Sequence, residues 1–316
     1  MPTWRLRDVR REVDLVEEVA RFALEEVPAT LPLRREMFGL LTRFQRLRRL
    51  VEDVLVGCGL YEAYTYSLQA DDPDPSALVL PEPLSAHQRV LRTTLLHGLL
   101  GAARANVDAG NEGVALFEVA HVYLPTGEPL PREPWRVGGI VEGGFFRAKG
   151  VLETLLAALH VEPRFEPAQH PFMPTPASAS VPGGWVAQLD PSLLEGEWGA
   201  FELDLEDLFA LIPERVVFED IVMRPPVKQD VALVVREEVP AGALVEAARE
   251  AVGPALQDMR PFDVYRGDQI PPGHKSIAFS LVFRSPERTL SDEDAAALRG
   301  RLVQALGDRF GARLRT

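Results

Sequence analysis

The sequence predicts an α+β protein in which a mixed helix-and-strand body is followed by a smaller β-α-β-β-α-β domain. Three observations predict it. From Asp230 onward, apolar residues alternate between a period of 2 and a period of 3.6 in that order. A proline-rich break at Met223-Arg224-Pro225-Pro226 separates this run from what precedes it. Ahead of the break stand a long amphipathic helix and several short strands, and the whole chain, 46% hydrophobic and 26% charged, has the composition of ordinary packed protein. A chain of 316 residues leads us to expect two or three domains. We place their limits at 1–30, 31–222 and 223–316.

The first expected element is a short helix over 12–22, with Val13, Val16 and Ala20 on one face, ended by Val27-Pro28 and Pro32. It is too little chain for a domain and reads as the remnant of a preceding one. The strongest helical pattern covers 35–56. There Met37, Leu40, Leu41, Phe44, Leu47, Val51, Val54 and Leu55 form one stripe opposed by Arg43, Arg46, Arg48 and Arg49, and Gly57 and Gly59 supply the stop. Such a stripe fits an internal core or a subunit interface equally well; Met37, Leu40, Leu41, Phe44, Leu47, Val51 and Leu55 are the interface candidates. A strand at 61–68, a Pro/Asp loop at 71–75 and a helix at 91–107 follow. Strands are expected at 114–124 and 135–142, a helix at 148–160, and short strands near 177–181, 185–189 and 200–203. In the last domain the order is strand 230–236, helix 241–252, strand 262–266, turn 269–273, strand 274–284, helix 291–306 and a closing strand at 312–314. Ser291 with Asp294 three residues on resembles a helix N-cap pair. The order is the split βαβ of ferredoxin-like domains.

Several functions are excluded by composition. With 34 basic against 47 acidic residues the net charge is −13, which argues against a general coat for nucleic acid, DNA included. From Met223 on, 14 basic residues face 13 acidic ones, so the last domain is near neutral and could meet a polyanion locally. No run reaches the roughly 18 apolar residues of a membrane span. The opening MPTWRLRDVRREVD lacks an apolar signal-peptide core, so a cytoplasmic location is expected. Cys58 alone gives neither a disulfide framework nor a cysteine zinc finger, and the six histidines show no i, i+4 pair. There is no Gly-x-Ser-x-Gly elbow and no phosphate loop.

Two clusters stand out. On a helix, Asp14, Glu17 and Glu18 fall at i, i+3 and i+4, with Asp8 just upstream, so carboxylates converge on one face. Hard oxygen ligands suit Mg²⁺; an acidic solvated face answered by Arg10, Arg11 and Arg21 explains the same residues. On the strand at 274–284, Ile277, Phe279, Leu281 and Phe283 face one way and Ser276, Ala278, Ser280 and Arg284 the other. Arg236 could join Arg284 by that second face, with Arg266, Lys275 and Arg288 near the turns and strand ends around it. These five cations are the candidate contacts for a nucleic-acid backbone, against the alternative of a solvated sheet face.

The ordered strings name a family. The segments Gln229-Asp230-Val231-Ala232-Leu233, Phe262-Asp263-Val264-Tyr265-Arg266-Gly267, Lys275-Ser276-Ile277-Ala278 and Arg288-Thr289-Leu290-Ser291-Asp292 resemble the anticodon-binding domain of the bacterial phenylalanyl-tRNA synthetase β subunit. Arg92-Thr93-Thr94-Leu95-Leu96, Ala115-Leu116-Phe117-Glu118-Val119, Lys149-Gly150-Val151-Leu152-Glu153 and Phe201-Glu202-Leu203-Asp204-Leu205 resemble its catalytic-like class II region. The chain departs from the pattern at Gln229, where an arginine is usual, at Arg147, near a usual acid, and at Phe172-Met173-Pro174-Thr175 after His170-Pro171.

The resemblance implies a degenerate class II synthetase domain with an antiparallel sheet over 31–222 and a ferredoxin-like anticodon-binding domain over 223–316. It implies magnesium at Asp8, Asp14, Glu17 and Glu18. It also implies a catalytic α subunit as partner in an α2β2 ligase, with ATP and phenylalanine on α, and tRNA(Phe) as the nucleic acid. Editing belongs to segments outside this polypeptide. The ATP-holding arginine of a Phe-Arg-x-Glu strand is replaced in Ala115-Leu116-Phe117-Glu118, and no Gly-x-Gly-x-Gly-x-x-Arg segment occurs, so no catalytic residue is assigned to this chain. A free-standing, non-catalytic binding paralogue is the alternative.

Overall fold

The computed structural model describes residues 2–31, 39–128, 130–169, 177–218 and 223–315. The chain forms two compact units, Met1–Val216 and Val217–Thr316.

The first unit opens with α1 (Glu12–Ala20), none of whose residues is buried. Next comes α2 (Arg43–Gly57), which starts later than the apolar pattern suggests. Thr42 and Gln45 form a capping box there: Thr42 Oγ1 accepts from Gln45 N, and Gln45 Oε1 accepts from Thr42 N. Leu40 and Leu41 therefore precede the helix, and Met37 lies outside the described residues.

The sheet of this unit is built from β1 (Tyr61–Glu62), β4 (Ala115–His121), β5 (Trp135–Glu142), β6 (Glu166–Pro167), β7 (Ser178–Val181), β8 (Gly184–Gln188) and β9 (Trp198–Asp204). Their spatial order is β1-β4-β5-β9-β8-β7-β6, antiparallel throughout except for the parallel β1–β4 pair. A separate small ribbon pairs β2 (Leu68–Gln69) with β3 (Val90–Leu91). The strand expected over 61–68 thus breaks in two. The reason is Glu118 of β4, whose carboxylate accepts from Thr65 N and Oγ1 at 3.3 and 2.6 Å and pulls the backbone out of the sheet.

Helices cover both faces of this sheet. On one side α2, α4 (Gly144–Ala158) and α5 (Leu205–Ala210) pack with Phe117, Val119, Val137, Val141, Phe201 and Leu203. On the other, α3 (Leu96–Asp108) packs Leu96, Leu99 and Ala103 against Leu116, Ile140 and Ala200. Gly199 permits the close approach of α4: a Cβ there would sit 2.3 Å from the Gly144 carbonyl oxygen. Arg43 ties the start of α2 to the end of α5 by donating to Phe209 O and Ile212 O.

The second unit contains β10 (Val227–Arg236), α6 (Ala241–Val252), β11 (Leu256–Tyr265), β12 (His274–Phe283), α7 (Asp292–Phe310) and β13 (Arg313–Leu314). Its strand order is β11-β12-β10-β13, all antiparallel. This is the ferredoxin-like arrangement. Strand β11 is longer than expected because Pro261 sits on the sheet edge beside a register shift, where a missing N–H costs no ladder bond. Helices α6 and α7 cover one face through Leu244, Ala248, Leu302 and Leu306, which meet Val231, Leu233, Ile277, Phe279, Leu281 and Phe283.

The stripe on α2 divides accordingly. Val51 and Leu55 are fully buried, and Phe44 and Leu47 pack against the same core, with Phe44 5.2 Å from the Phe209 ring. Val51 and Leu55 thus belong to the core of this chain and Phe44 and Leu47 to its margin, whereas Leu40 is 84% exposed. Leu55→Ala should cost about 2–5 kcal/mol in urea unfolding, and Leu40→Ala less than about 0.5 kcal/mol. Equal losses at the two positions would contradict this division.

Candidate nucleic-acid interface

Among the described residues, the helices of the second unit, α6 and α7, pack on one face of its four-stranded sheet and leave the other without a helix of that unit. Since α6 and α7 take the odd-numbered residues of β10 and β12, the even-numbered ones lie on the other side. They are Lys228, Asp230, Ala232, Val234 and Arg236 on β10, opposite Val282, Ser280, Ala278, Ser276 and His274 on β12. One row across the sheet reads Tyr265, Ser276, Val234 and Arg313. Beyond β13, Arg315 donates its backbone N–H to Ala232 O. Its guanidinium lies 4.4 Å from the centre of the Tyr265 ring, and Nη2 donates to Gln269 Oε1 at 2.9 Å. Small residues and one aromatic ring thus make a flat platform edged by arginine.

Of the five cations expected to meet tRNA, Arg236 lies on this face by register, and all five have partners within the chain. Arg266 is forked onto the Glu237 carboxylate by Nε and Nη2, and Lys275 Nζ donates to Glu237 O at 2.6 Å. That contact with Arg266 holds the Glu237 carboxyl below its ordinary pKa. Arg236 is paired with Glu238 at 3.1 Å. Arg288 makes two 2.6 Å bonds to Asp294 and so belongs to the N-terminus of α7. Arg284 follows β12, half-buried, and donates its backbone N–H to Ala255 O. Sequence parity missed Tyr265 because the bulge at Pro261–Asp263 resets the count along β11. Arg315 was missed because it lies just past the last strand.

The acidic segment is also rearranged by its neighbours. Asp14 caps α1: Oδ2 accepts from Arg10 N and Arg11 N at 2.8 and 2.7 Å, and these bonds lower its pKa. Glu18 is held by Arg5 at 2.5 Å and Arg21 at 3.4 Å, with Arg5 the main cause of its lowered pKa. Arg5 also reaches Asp8 at 2.9 Å. Among the described residues, no group of three or more His, Cys, Asp or Glu side chains is placed to hold a metal ion. Capping and guanidinium pairing thus turn Asp8, Asp14 and Glu18 of the expected set Asp8, Asp14, Glu17 and Glu18 to other partners.

In the first unit the polar side chains close on one another. Arg92 Nη1 donates to Glu118 Oε1 at 2.9 Å, both residues being buried. Glu202 accepts from Thr94 Oγ1, Leu95 N and Arg136 Nη1 at 2.6, 2.8 and 2.5 Å. Asp72 similarly takes Thr93 N and Oγ1.

Comparison with known proteins follows the same division. Residues 27–204 match the family model of the phenylalanyl tRNA synthetase beta chain CLM domain, and residues 223–315 that of the ferredoxin-fold anticodon binding domain. The phenylalanine–tRNA ligase beta subunit of Geobacillus kaustophilus is 39% identical over 98% of this chain and 43% of its own length. That of Synechococcus sp. is 34% identical over 100% of this chain and 42% of its own length. This chain thus spans well under half the length of these relatives. A pyrrolysyl tRNA synthetase from Desulfitobacterium hafniense is similar over 61% of this chain and 70% of its own, at 15% identity and a TM-score of 0.44.

Two outcomes are expected from this geometry. Glu118→Ala would strand a buried guanidinium and should cost about 3–5 kcal/mol in chemical unfolding. A loss below about 1 kcal/mol would mean that Arg92 finds another acceptor. The second concerns pH. The Arg288 fork holds the Asp294 carboxyl far below its ordinary value, and Ser291 adds to the effect. A depressed folded pKa stabilises the fold above the unfolded value of about 3.9, and the contribution is lost as pH falls below that. Melting temperature measured from pH 6 to 3 should therefore drop less steeply for Asp294→Asn than for the wild type.

Proposed function

The chain belongs to the phenylalanyl-tRNA synthetase beta-chain family, and from that premise we propose that it is a non-catalytic part of a phenylalanine–tRNA ligase. In this reading the second unit binds the anticodon region of tRNA(Phe). The single observation that carries it is the helix-free sheet face bearing Tyr265, within the segment matched by the anticodon-binding model. Stacking of an unpaired base on an aromatic ring is worth about 1–3 kcal/mol and suits a single-stranded loop.

The first unit acts as scaffold. Its sheet carries an acid–base network already paired internally, with Phe117 packed in the core and Glu118 bound to Arg92 and Thr65, and this supports a role other than holding a triphosphate. ATP, phenylalanine and magnesium are then handled on a catalytic α subunit, in a cytoplasmic α2β2 assembly. For the α subunit we favour the edge of the sheet at β1, where Tyr61, Tyr64 and Tyr66 are all exposed, Tyr64 to 90%. Aromatic side chains of this kind anchor protein interfaces.

The test is co-purification with a bacterial phenylalanyl-tRNA synthetase α subunit, followed by pyrophosphate exchange. The chain alone should give no exchange and should co-purify with α, while Tyr64→Asp with Tyr66→Asp should abolish co-purification without lowering the melting temperature. Exchange by the chain alone, or absence of association by the wild type, would overturn the reading.

A further inference from the structure

The first unit holds a cavity of about 180 Å³ at one end of its sheet, lined by residues of β5, β8 and β9, by Arg132 just before β5 and by Asp207 of α5. We propose that this cavity binds a small zwitterion, a molecule with an ammonium and a carboxylate a few bonds apart, as in a free amino acid. The proposal concerns the first unit alone, so it stands or fails apart from the tRNA reading of the second.

Arg136 on β5 and Asp204 on β9 stand directly opposite one another in the sheet. Opposite charges in such positions favour pairing. Here each takes another partner instead: Arg136 goes to Glu202 at 2.5 Å, and Asp204 meets Arg132 at 3.4 Å. Each also keeps one position unfilled. Arg136 Nε is shielded from water and has no hydrogen-bond partner among the described residues. Asp204 is only 8% exposed, and its Oδ1 is spent on Glu206 N and Asp207 N at 3.0 and 3.3 Å. Its Oδ2 has the long contact with Arg132, a side chain that lies mostly in solvent. A donor and an acceptor of opposite charge thus border the same small space.

The charge balance selects among ligands. Two guanidinium groups and three carboxylates line the cavity, and Glu202 is already saturated by Thr94, Leu95 N and Arg136. A bare anion would be repelled by Asp204 and Asp207, and a bare cation by Arg132 and Arg136. A zwitterion meets both signs, its carboxylate towards the arginines and its ammonium towards Asp204 and Asp207. Trp185 is the register partner of Glu202, so it stands on the same face and offers a partly buried indole to the apolar part of the molecule. Size agrees as well: a cavity of about 150 Å³ holds benzene, so this one suits roughly six to ten non-hydrogen atoms.

L-Leucine, isopentylamine and 4-methylpentanoate share one apolar group and carry, in turn, both charges, the ammonium alone and the carboxylate alone. Binding of each to the full chain is followed by the indole N–H resonance of Trp185, identified by its loss in Trp185→Phe. L-Leucine should shift that resonance and bind about tenfold more tightly than either single-charge analogue. Asp204→Asn keeps a side-chain oxygen for the start of α5 and removes the charge, and it should weaken L-leucine binding about tenfold. Arg132→Gln, on the surface, should weaken it as well. Equal binding of L-leucine and either analogue overturns the proposal, as does wild-type affinity in Asp204→Asn. If Asp204→Asn loses the cooperative melting of the wild type, Arg132→Gln decides in the same way. Absence of any shift with L-leucine, glycine and γ-aminobutyrate alike also overturns it.

Discussion

The buried ion pair between Arg92 and Glu118 is the constraint on which the first unit depends. A guanidinium and a carboxylate shielded from water are costly alone and tolerable together, so neither element can move without the other. The pair fastens the chain after β3 to β4, and Glu118 also holds Thr65 away from the sheet. Two strands further along the sheet, on β9, Glu202 repeats the device with Thr94, Leu95 N and Arg136, fixing where α3 begins. The result is a sheet whose polar side chains are spent on holding its own loops in place.

The same self-neutralisation governs the surface. Because acidic residues outnumber basic ones, many arginines meet a carboxylate of their own chain before they meet anything else. Each such pair contributes little to stability when exposed. It does, however, remove a cation from the set available to a polyanion.

Much of the fold is legible in uninterrupted patterns. The helix at 241–252 and the strand at 135–142 form over the expected residues, because no proline, bulge or competing side chain intervenes. Where such an intruder exists, the sequence misleads. Pro261 looks like a break but sits at the edge of a continuous strand, and the apolar run before Thr42 looks helical although the capping box starts α2 only at Arg43. The family resemblance is carried by short ordered strings and is visible without any structure. The candidate site was half visible: the open face follows from alternation along β12, but its aromatic and its available arginine do not.

By itself the sequence determined the order of the elements, the two faces of the central strands and the family. The tertiary structure alone decided that Val51 and Leu55 are core, that Asp14 is a helix cap, and that Tyr265 and Arg315 meet. The physical reason is range. Periodicity and capping are properties of neighbouring residues, whereas Arg92 and Glu118 stand 26 residues apart, Arg266 and Glu237 29, and Arg315 and Gln269 46. Which charge meets which partner over such distances depends on how the sheet is assembled, and that is settled only when the chain has folded.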